Sequence, residues 1–243
     1  MQHTVYLDNS STTKPCKTAV RYINKALTAE WGNPSSLHRL GMEAEIALSE
    51  ARETVARSVS ARADEIIFTG SGTEANNTSL LSCLKAKKRG GRVITTAIEH
   101  PSVLETVKRL EIEGLEVIRL KPQRDGTVSL CDLENALSSD TVMVSMMLVN
   151  NETGAVLPVE DAVKLTKSIA PAALFHCDAV QGYGKLPINV KRLGCDLMSA
   201  SGHKIHGPKG IGFLYIKKGV HIPPFITGGG QESGMRSGTE PTP

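Results

Sequence analysis

Short runs of apolar and β-branched residues alternate along this chain with longer stretches in which apolar positions recur at helical spacing. The short runs predict seven strands, at 65–69, 92–96, 116–120, 142–149, 173–177, 197–200 and 211–216. The longer stretches predict six helices, at 16–29, 37–60, 74–88, 102–113, 130–137 and 159–169. Strands separated by helices are typical of βαβ units, so the pattern predicts an α/β fold with a mostly parallel seven-stranded sheet and helices on both faces.

Two of these helices carry a capping signal at their start. Ser129 precedes the helix at 130–137, and Thr73 opens the helix at 74–88. The chain has no internal repeat and no low-complexity linker. We therefore expect one large domain, residues 16–243, preceded by an N-terminal arm, residues 1–15.

Charge and composition exclude several classes of partner. A net charge of +3 with 22% charged residues is too small to predict a nucleic-acid or anionic-membrane surface. The densest basic cluster, residues 85–89, lies at the predicted end of a helix, where cations complement the helix dipole. The longest apolar run, 142–149, is interrupted by Ser145 and is too short to span a membrane.

Cysteine usage and the N-terminus indicate a cytoplasmic protein. The N-terminal residues lack the basic lead and apolar core of a signal peptide. Five scattered cysteines without a CxxC pair favour neither a disulfide framework nor a metal site. We expect a reducing compartment and no bound metal.

Polar and glycine-containing segments follow several of the predicted strands. They are Gly70-Ser71-Gly72-Thr73, Asn150-Asn151-Glu152, Asp178-Ala179-Val180-Gln181 and Ser201-Gly202-His203-Lys204, with His100 a short step beyond the strand at 92–96. Ligands of open α/β sheets bind outside the carboxyl ends of the strands. We therefore expect these segments to surround one crevice.

Lys204 is the most informative residue of this set. It follows the predicted strand at 197–200, between a serine and histidine pair and the glycine-containing segment 206–210. A lysine on a tight turn can be partly desolvated, which lowers the pKa of its ammonium and frees the amine to attack an aldehyde. The pattern indicates a Schiff-base lysine, although most lysines are solvated surface charges.

The other segments each have a structural interpretation beside a functional one. The glycines before the helix at 74–88 suit a simple capped turn or a phosphate cradle, because backbone N–H groups can approach an anion there. Asp178 could cap a helix or hold a carboxylate in the crevice. Gln181 and His100 could be turn residues, or a hydrogen-bond donor and an acid–base group.

Read in order, the motifs resemble the cysteine desulfurase and selenocysteine lyase family, in the class V aminotransferase group of fold type I enzymes that use pyridoxal 5′-phosphate (PLP). The matching motifs are YLDNSSTT (6–13), WGNPSS (31–36), GTEANN (72–77), EH (99–100), VNNETG (149–154), HCDAVQ (176–181), SGHK (201–204) and GMRSGT (234–239). The match covers the chain from end to end. It implies the large domain of a fold type I PLP-dependent transferase.

The resemblance implies a role for each residue around the cofactor ring. Lys204 resembles the lysine that binds the cofactor aldehyde and moves the substrate α-proton. Asp178 resembles the partner of the pyridine nitrogen, and Gln181 the ligand of the phenolic oxygen. His100 resembles the residue that stacks on the ring, and Asn151 one near the phenolic oxygen and the substrate carboxylate.

Other matching residues imply a phosphate site and a homodimer. The residues that match the phosphate-binding set are Gly72, Thr73, Ser201 and His203. Thr239 matches a residue that reaches the cofactor of the other subunit, which implies shared active sites.

The implied reaction converts L-cysteine, or selenocysteine, to alanine and passes the sulfur to an acceptor, such as a scaffold protein for iron–sulfur or thio-cofactor assembly. Family members continue beyond the segment matching 236–239 into a small C-terminal domain with the sulfur-accepting cysteine and a substrate-binding arginine. This chain stops at Pro243. We therefore expect that domain to be missing and desulfuration by this chain alone not to occur.

None of the five cysteines stands at the family's sulfur-accepting position. Cys83, Cys177 and Cys195 fall in or beside predicted elements, so we expect them in the core. Cys16 and Cys131 lie at helix starts, where a dipole lowers the pKa of a thiol.

Three hypotheses remain at this point. The chain could be a cysteine desulfurase or selenocysteine lyase without its small domain, a class V relative with different chemistry, or a non-catalytic PLP-binding dimerisation module.

Overall fold

The computed structural model describes residues 5–84 and 91–242. Within these ranges it contains seven helices: α1 (Lys17–Thr28), α2 (Arg39–Ser58), α3 (Gly72–Leu81), α4 (Pro101–Ile112), α5 (Leu130–Ala136), α6 (Val159–Ile169) and α7 (Val190–Leu193). The same ranges contain seven strands: β1 (Ile66–Thr69), β2 (Arg92–Thr96), β3 (Glu116–Leu120), β4 (Thr141–Met147), β5 (Leu174–Asp178), β6 (Leu197–Ser201) and β7 (Gly212–Ile216). The predicted strands and helices are confirmed. The sequence pattern does not predict α7, whose four residues are too few to show a helical repeat.

The strands form one sheet in the order β1-β7-β6-β5-β4-β2-β3. Neighbours from β3 to β6 are parallel, whereas β7 lies antiparallel between β6 and β1. The predicted mostly parallel sheet is confirmed. The order of the strands reverses between β2 and β4, and this is where an open α/β sheet leaves a crevice at its carboxyl edge.

Capping side chains decide where several helices begin. Ser129 Oγ accepts a hydrogen bond from Asp132 N at 3.3 Å, as predicted for α5. The prediction that Thr73 opens α3 is wrong: Ser71 Oγ accepts from Glu74 N at 3.1 Å, and the helix begins at Gly72. An extended Ser71 can offer its hydroxyl to the first turn, whereas Thr73 already lies inside that turn.

Two predicted elements extend too far. The strand predicted at 142–149 ends at Met147, because Leu148 N donates to Asp178 O and Val149 bridges to Val156. The helix predicted at 74–88 ends at Leu81. The last residues of this prediction, 85–88, lie outside the described residues, and so does the basic cluster at 85–89.

Helices cover both faces of the sheet, as predicted. One apolar cluster joins the sheet to α3 and α4, for example through Val93, Leu197 and Val107. The other joins the opposite face to α2, α5 and α6, with Phe175 fully buried near its centre. No helix in the described ranges combines the length and apolarity that crossing a bilayer requires.

A buried polar row crosses the sheet beneath the carboxyl edge. The ring nitrogens of His176 lie 2.8 Å from Ser145 Oγ and 2.9 Å from Ser199 Oγ, so neighbouring strands β4, β5 and β6 are joined by side chains. Because the ring is fully buried, desolvation lowers the pKa of His176 to about 3. His176 is therefore neutral at neutral pH.

The neutral ring of His176 makes the fold sensitive to acid. An exposed histidine has a pKa of about 6.5, so below that pH the unfolded chain binds a proton that the folded chain excludes. The stabilisation is complete above about pH 6.5 and is lost as the pH falls toward about 3. We expect His176→Gln to remove about 1 kcal/mol per pH unit from the acid dependence of the free energy of unfolding, measured by urea titration between these limits.

The control is His38→Gln, which removes an exposed ring that accepts from Gly41 N at the start of α2 and leaves the buried row intact. Burial raises the pKa of Glu99 to about 8, so this carboxyl stabilises the fold increasingly as the pH falls from about 8 toward its ordinary value of 4.5. Both variants retain Glu99, so its opposite contribution cancels in the comparison. An unchanged slope in His176→Gln would show that the ring is charged in the folded protein.

Candidate active site

A cavity of about 600 Å³ opens at the carboxyl edge of the sheet. Its walls come from the start of α3, the turns after β2, β4, β5 and β6, and the N-terminal arm. The predicted site residues among its lining are Gly72, Thr73, His100, Asn151, Asp178, Gln181, Ser201, His203 and Lys204. Thr239 is exposed and is not part of this lining. The predicted crevice is thus present. Thr239, which the resemblance assigns to the other subunit's cofactor, lies outside it.

The N-terminus of α3 forms one end of the cavity. Its first N–H groups have no acceptor within the helix, and the positive end of the helix favours an anion. A Cβ atom at Gly72 would lie 2.6 Å from Val180 Cγ2, so only glycine fits this wall without movement. Ser201 and His203 line the same cavity from the end of β6. The segment 70–74 is a capped turn, as one interpretation predicts, and Ser71, Gly72 and Thr73 also line the cavity.

Lys204 ends the 3₁₀ turn Gly202–Lys204 that follows β6. Its Nζ donates to the carbonyl oxygens of Ser10 at 2.6 Å and Ser11 at 2.7 Å. Burial, followed by the nearby Lys185 ammonium, lowers the pKa of Lys204. The lower pKa increases the fraction of free amine at neutral pH.

Asp178 is the buried carboxyl group of the cavity, with only 4% of its surface exposed. Its Oδ1 accepts from Val180 N at 2.9 Å, and its Oδ2 accepts from Asn76 Nδ2 at 2.7 Å. Burial raises the pKa of Asp178, and these two hydrogen bonds oppose the rise. A cationic N–H group in the cavity would favour the ionised carboxylate further.

His100 is connected to Asp178 through two other side chains. Asn76 Nδ2 also donates to Ser102 Oγ at 2.9 Å, so that hydroxyl has its own hydrogen left for His100 Nδ1, at 2.8 Å. Ser102 N donates to the same ring nitrogen at 3.1 Å. Two donors on Nδ1 require that this atom carry a lone pair. The hydrogen of a neutral His100 ring is therefore on Nε2.

Gln181 and Asn151 complete the side of the cavity next to the arm. Gln181 Nε2 donates to Ser10 O at 2.8 Å, so the Ser10 carbonyl accepts from both Gln181 and Lys204. Asn151 Nδ2 donates to Glu152 Oε1 at 2.6 Å. The exposed-turn interpretation of Gln181 is wrong, because this side chain is buried.

Several cavity residues are absent from the sequence predictions. Asp8, Ser10 and Ser11 come from the arm, which is held by Thr13 N donating to His203 O at 2.9 Å. No periodic pattern marks the arm, and its only signal is the YLDNSSTT motif. Asn76 could be found from spacing, because it lies four residues beyond Gly72 and hence on the same side of α3.

No cysteine lines the cavity in the described ranges. Cys83, Cys177 and Cys195 are buried, as predicted, and burial raises the pKa of each thiol, to about 12 for Cys83 and Cys195. Cys16 and Cys131 are exposed, and Cys16 Sγ caps α1 by accepting from Ala19 N. The described residues contain no cluster of three or more His, Cys, Asp or Glu that could hold a metal ion.

The residues around the cavity fit PLP. The α3 terminus suits its phosphate, the amine of Lys204 its aldehyde, and the carboxyl of Asp178 its ring nitrogen. The absence of a side chain at Gly72 lets the α3 backbone pack closely against Val180 at the cavity wall. The cavity volume of about 600 Å³ also lies within the range of small-molecule sites.

Comparisons with known proteins agree with this arrangement. The cysteine desulfurase of Nostoc sp. is 44% identical over 239 residues, which are 98% of this chain and 59% of that protein. A solved structure named NifS-like protein superposes with a TM-score of 0.96 at 42% identity, over 98% of this chain and 66% of that one. The structure of SspA in complex with cysteine has a TM-score of 0.95 at 37% identity, over 98% of this chain and 69% of that one.

The chain thus spans about 59% of the length of the first curated relative. The sequence profile of the family described as aminotransferase class-V matches residues 5–242, nearly all of the chain, and both that family and the cysteine desulfurase relatives are PLP-dependent enzymes. This chain belongs to the aminotransferase class-V family.

Proposed function

We propose that this chain is the PLP-binding part of a cysteine desulfurase, in which Lys204 binds the cofactor and L-cysteine is the substrate. The observation that carries this proposal is the pairing of Lys204 with Asp178. An amine of lowered pKa and a buried carboxyl group line one cavity, together with the anion-binding end of α3. Bound PLP supplies an electron sink for the charge that develops at the substrate α-carbon.

The residues around the ring would set its charge and position. Asp178 would hold a proton on the pyridine nitrogen, since a carboxylate beside that atom stabilises the protonated form. His100 would stack on the ring, and Asn151 would border the space for the substrate carboxylate. Gln181 would donate to the phenolic oxygen.

The phosphate is assigned to the opposite end of the cavity. Backbone N–H groups of Gly72 and Thr73 would bind the phosphate at the positive end of α3, and Ser201 and His203 would complete its binding site. The Lys204 amine would be the base that accepts the α-proton of the substrate. The lowered pKa of Lys204 increases the fraction of this amine that is free to accept a proton.

L-cysteine is the proposed substrate because the relatives are named cysteine desulfurases and one similar structure contains cysteine. The sulfur-accepting thiol would come from outside the described cavity residues, which include no cysteine. We assign the sulfur to a scaffold protein of iron–sulfur or thio-cofactor assembly, because another relative, from Dictyoglomus turgidum, is named cysteine desulfurase IscS.

A homodimer is the proposed assembly, with Thr239 reaching the cofactor of the partner subunit. The support is an exposed Thr239 outside the cavity and a set of exposed apolar side chains that would favour association. These side chains are Val5, Leu7, Tyr22, Trp31 and Leu37. The cytoplasm is the proposed location, because the five cysteines are free thiols.

Replacement of Lys204 tests cofactor binding directly. We expect wild-type protein mixed with PLP to turn yellow, and borohydride reduction followed by peptide mapping to place the cofactor on Lys204. Lys204→Met should lose the covalent adduct entirely, because the methionine side chain has no amine. Lys209→Met, which removes an exposed lysine from the same loop, should retain it. An adduct on another lysine, or none in wild type, would refute the proposal.

Replacement of Asp178 tests activation of the substrate. Asp178→Asn keeps the shape of the side chain but removes the negative charge beside the ring nitrogen. We expect exchange of the L-cysteine α-proton in deuterium oxide, followed by NMR, to slow about a hundredfold or more. This exchange needs no sulfur acceptor.

Asp178→Glu is the matched control. Because it retains the negative charge, we expect its α-proton exchange to slow less than that of Asp178→Asn. Equal exchange rates in Asp178→Asn and wild type would contradict the role of the carboxylate. Conversion of a keto acid to an amino acid without sulfide release would favour another class V reaction, and PLP binding without any α-proton exchange would favour a non-catalytic module.

A further inference from the structure

Lys185 contacts Gln181, a residue that lines the cavity. The two residues lie on one turn, in which Lys185 N and Leu186 N both donate to Gly182 O. Gly184 makes this turn possible: it has a φ of +73°, and a Cβ atom there would lie 2.6 Å from Ile205 Cγ2. The turn brings Lys185 Nζ to 2.9 Å from Gln181 Oε1.

The amide of Gln181 is held between two groups of opposite kind. An ammonium can only donate hydrogen bonds, so Lys185 requires the amide oxygen on its side. A backbone carbonyl can only accept, so Ser10 requires the amide NH₂ on the other side, at 2.8 Å. Reversing the amide would place NH₂ against an ammonium and oxygen against a carbonyl oxygen. Both ends of the contact therefore specify the same orientation.

This orientation decides what Gln181 offers to a ligand. One hydrogen of Nε2 is bound by Ser10, and the second is available to the cavity that Gln181 lines. The opposite orientation would turn the oxygen of Gln181 toward the cavity and select a ligand with a donor. An acceptor oxygen on the ligand is favoured only while the amide is held as observed.

We propose that Lys185 is a positioning residue that makes Gln181 a hydrogen-bond donor to the phenolic oxygen of PLP. The proposal rests on the proposed function, in which Gln181 faces that oxygen. Lys185 itself is not among the residues that line the cavity. Its charge also acts on the Lys204 amine, but this effect is the same for every aldehyde that Lys204 binds.

The first test measures cofactor selectivity. Dissociation constants of PLP and of an analogue lacking the phenolic oxygen are compared in wild type, Lys185→Met and Lys185→Arg. Lys185→Met should weaken PLP binding about tenfold more than analogue binding, because it would cost PLP one hydrogen bond to a charged oxygen. Lys185→Arg keeps a group that only donates and should restore the preference. The ratio of the two dissociation constants is used because the effect of Lys185 on the Lys204 amine is common to both ligands and cancels.

The second test uses the protein without cofactor. Hydrogen exchange of the Gln181 side-chain NH₂ is followed by NMR, with its signals assigned by their loss in Gln181→Glu. We expect exchange to quicken about tenfold in Lys185→Met, because an amide held at one end only exposes its hydrogens more often. Lys191→Met, which removes an exposed lysine from α7, should exchange at the wild-type rate.

The two tests separate the failure of this proposal from that of the proposed function. If wild type binds no PLP, the proposed function fails, and the exchange measurement alone decides whether Lys185 orients Gln181. Unchanged exchange in Lys185→Met overturns the inference. An equal loss of affinity for PLP and for the analogue in Lys185→Met also overturns it, since Lys185 would then not act through a contact with the phenolic oxygen.

Discussion

The buried carboxyl group of Asp178 is the constraint on which the cavity depends. Burial disfavours its charge, so its oxygens must be satisfied by donors that the fold holds in place. Asn76 provides one from the first turns of α3, and Val180 N provides another from the turn after β5. These bonds bring the start of α3 next to the end of β5. The N-terminus of α3 is thereby fixed relative to the Asp178 end of the cavity.

The Ser10 carbonyl has a similar role for the other half of the site. It accepts from Lys204 and Gln181, two residues that lie on separate turns at the carboxyl edge. A segment without regular structure thus contributes a backbone acceptor where the functional groups meet. If the Lys204 amine bound an aldehyde, as proposed, it would have fewer hydrogens to donate, and its contacts with Ser10 and Ser11 would weaken. The arm would then be coupled chemically to the state of Lys204.

The sheet and most of the cavity could be predicted because they follow local rules. Buried strands read as apolar runs, and the segments that follow parallel strands meet at one edge. Thr73 was the wrong cap because Ser71 and Thr73 are both suitable residues, and only backbone conformation separates them. The contacts of Ser10 and Ser11 with Lys204 span more than 190 residues, and no local pattern encodes them. The contact from Lys185 to Gln181 depends on a turn set by Gly184, which is equally invisible to periodicity.

The buried groups next to Asp178 supply no positive charge, so the charge of its carboxylate must be balanced from the cavity side. His176 lies two residues before Asp178 on the same side of β5, and its lowered pKa, about 3, leaves it uncharged. Burial, with a further contribution from the charge of Asp178, raises the pKa of Glu99 to about 8, so this carboxyl is largely protonated at neutral pH. Neither group supplies a positive charge, and Glu99 adds little negative charge. The cation that stabilises the Asp178 carboxylate must then come from Lys204 or from a ligand in the cavity, and a protonated pyridine nitrogen would meet that requirement.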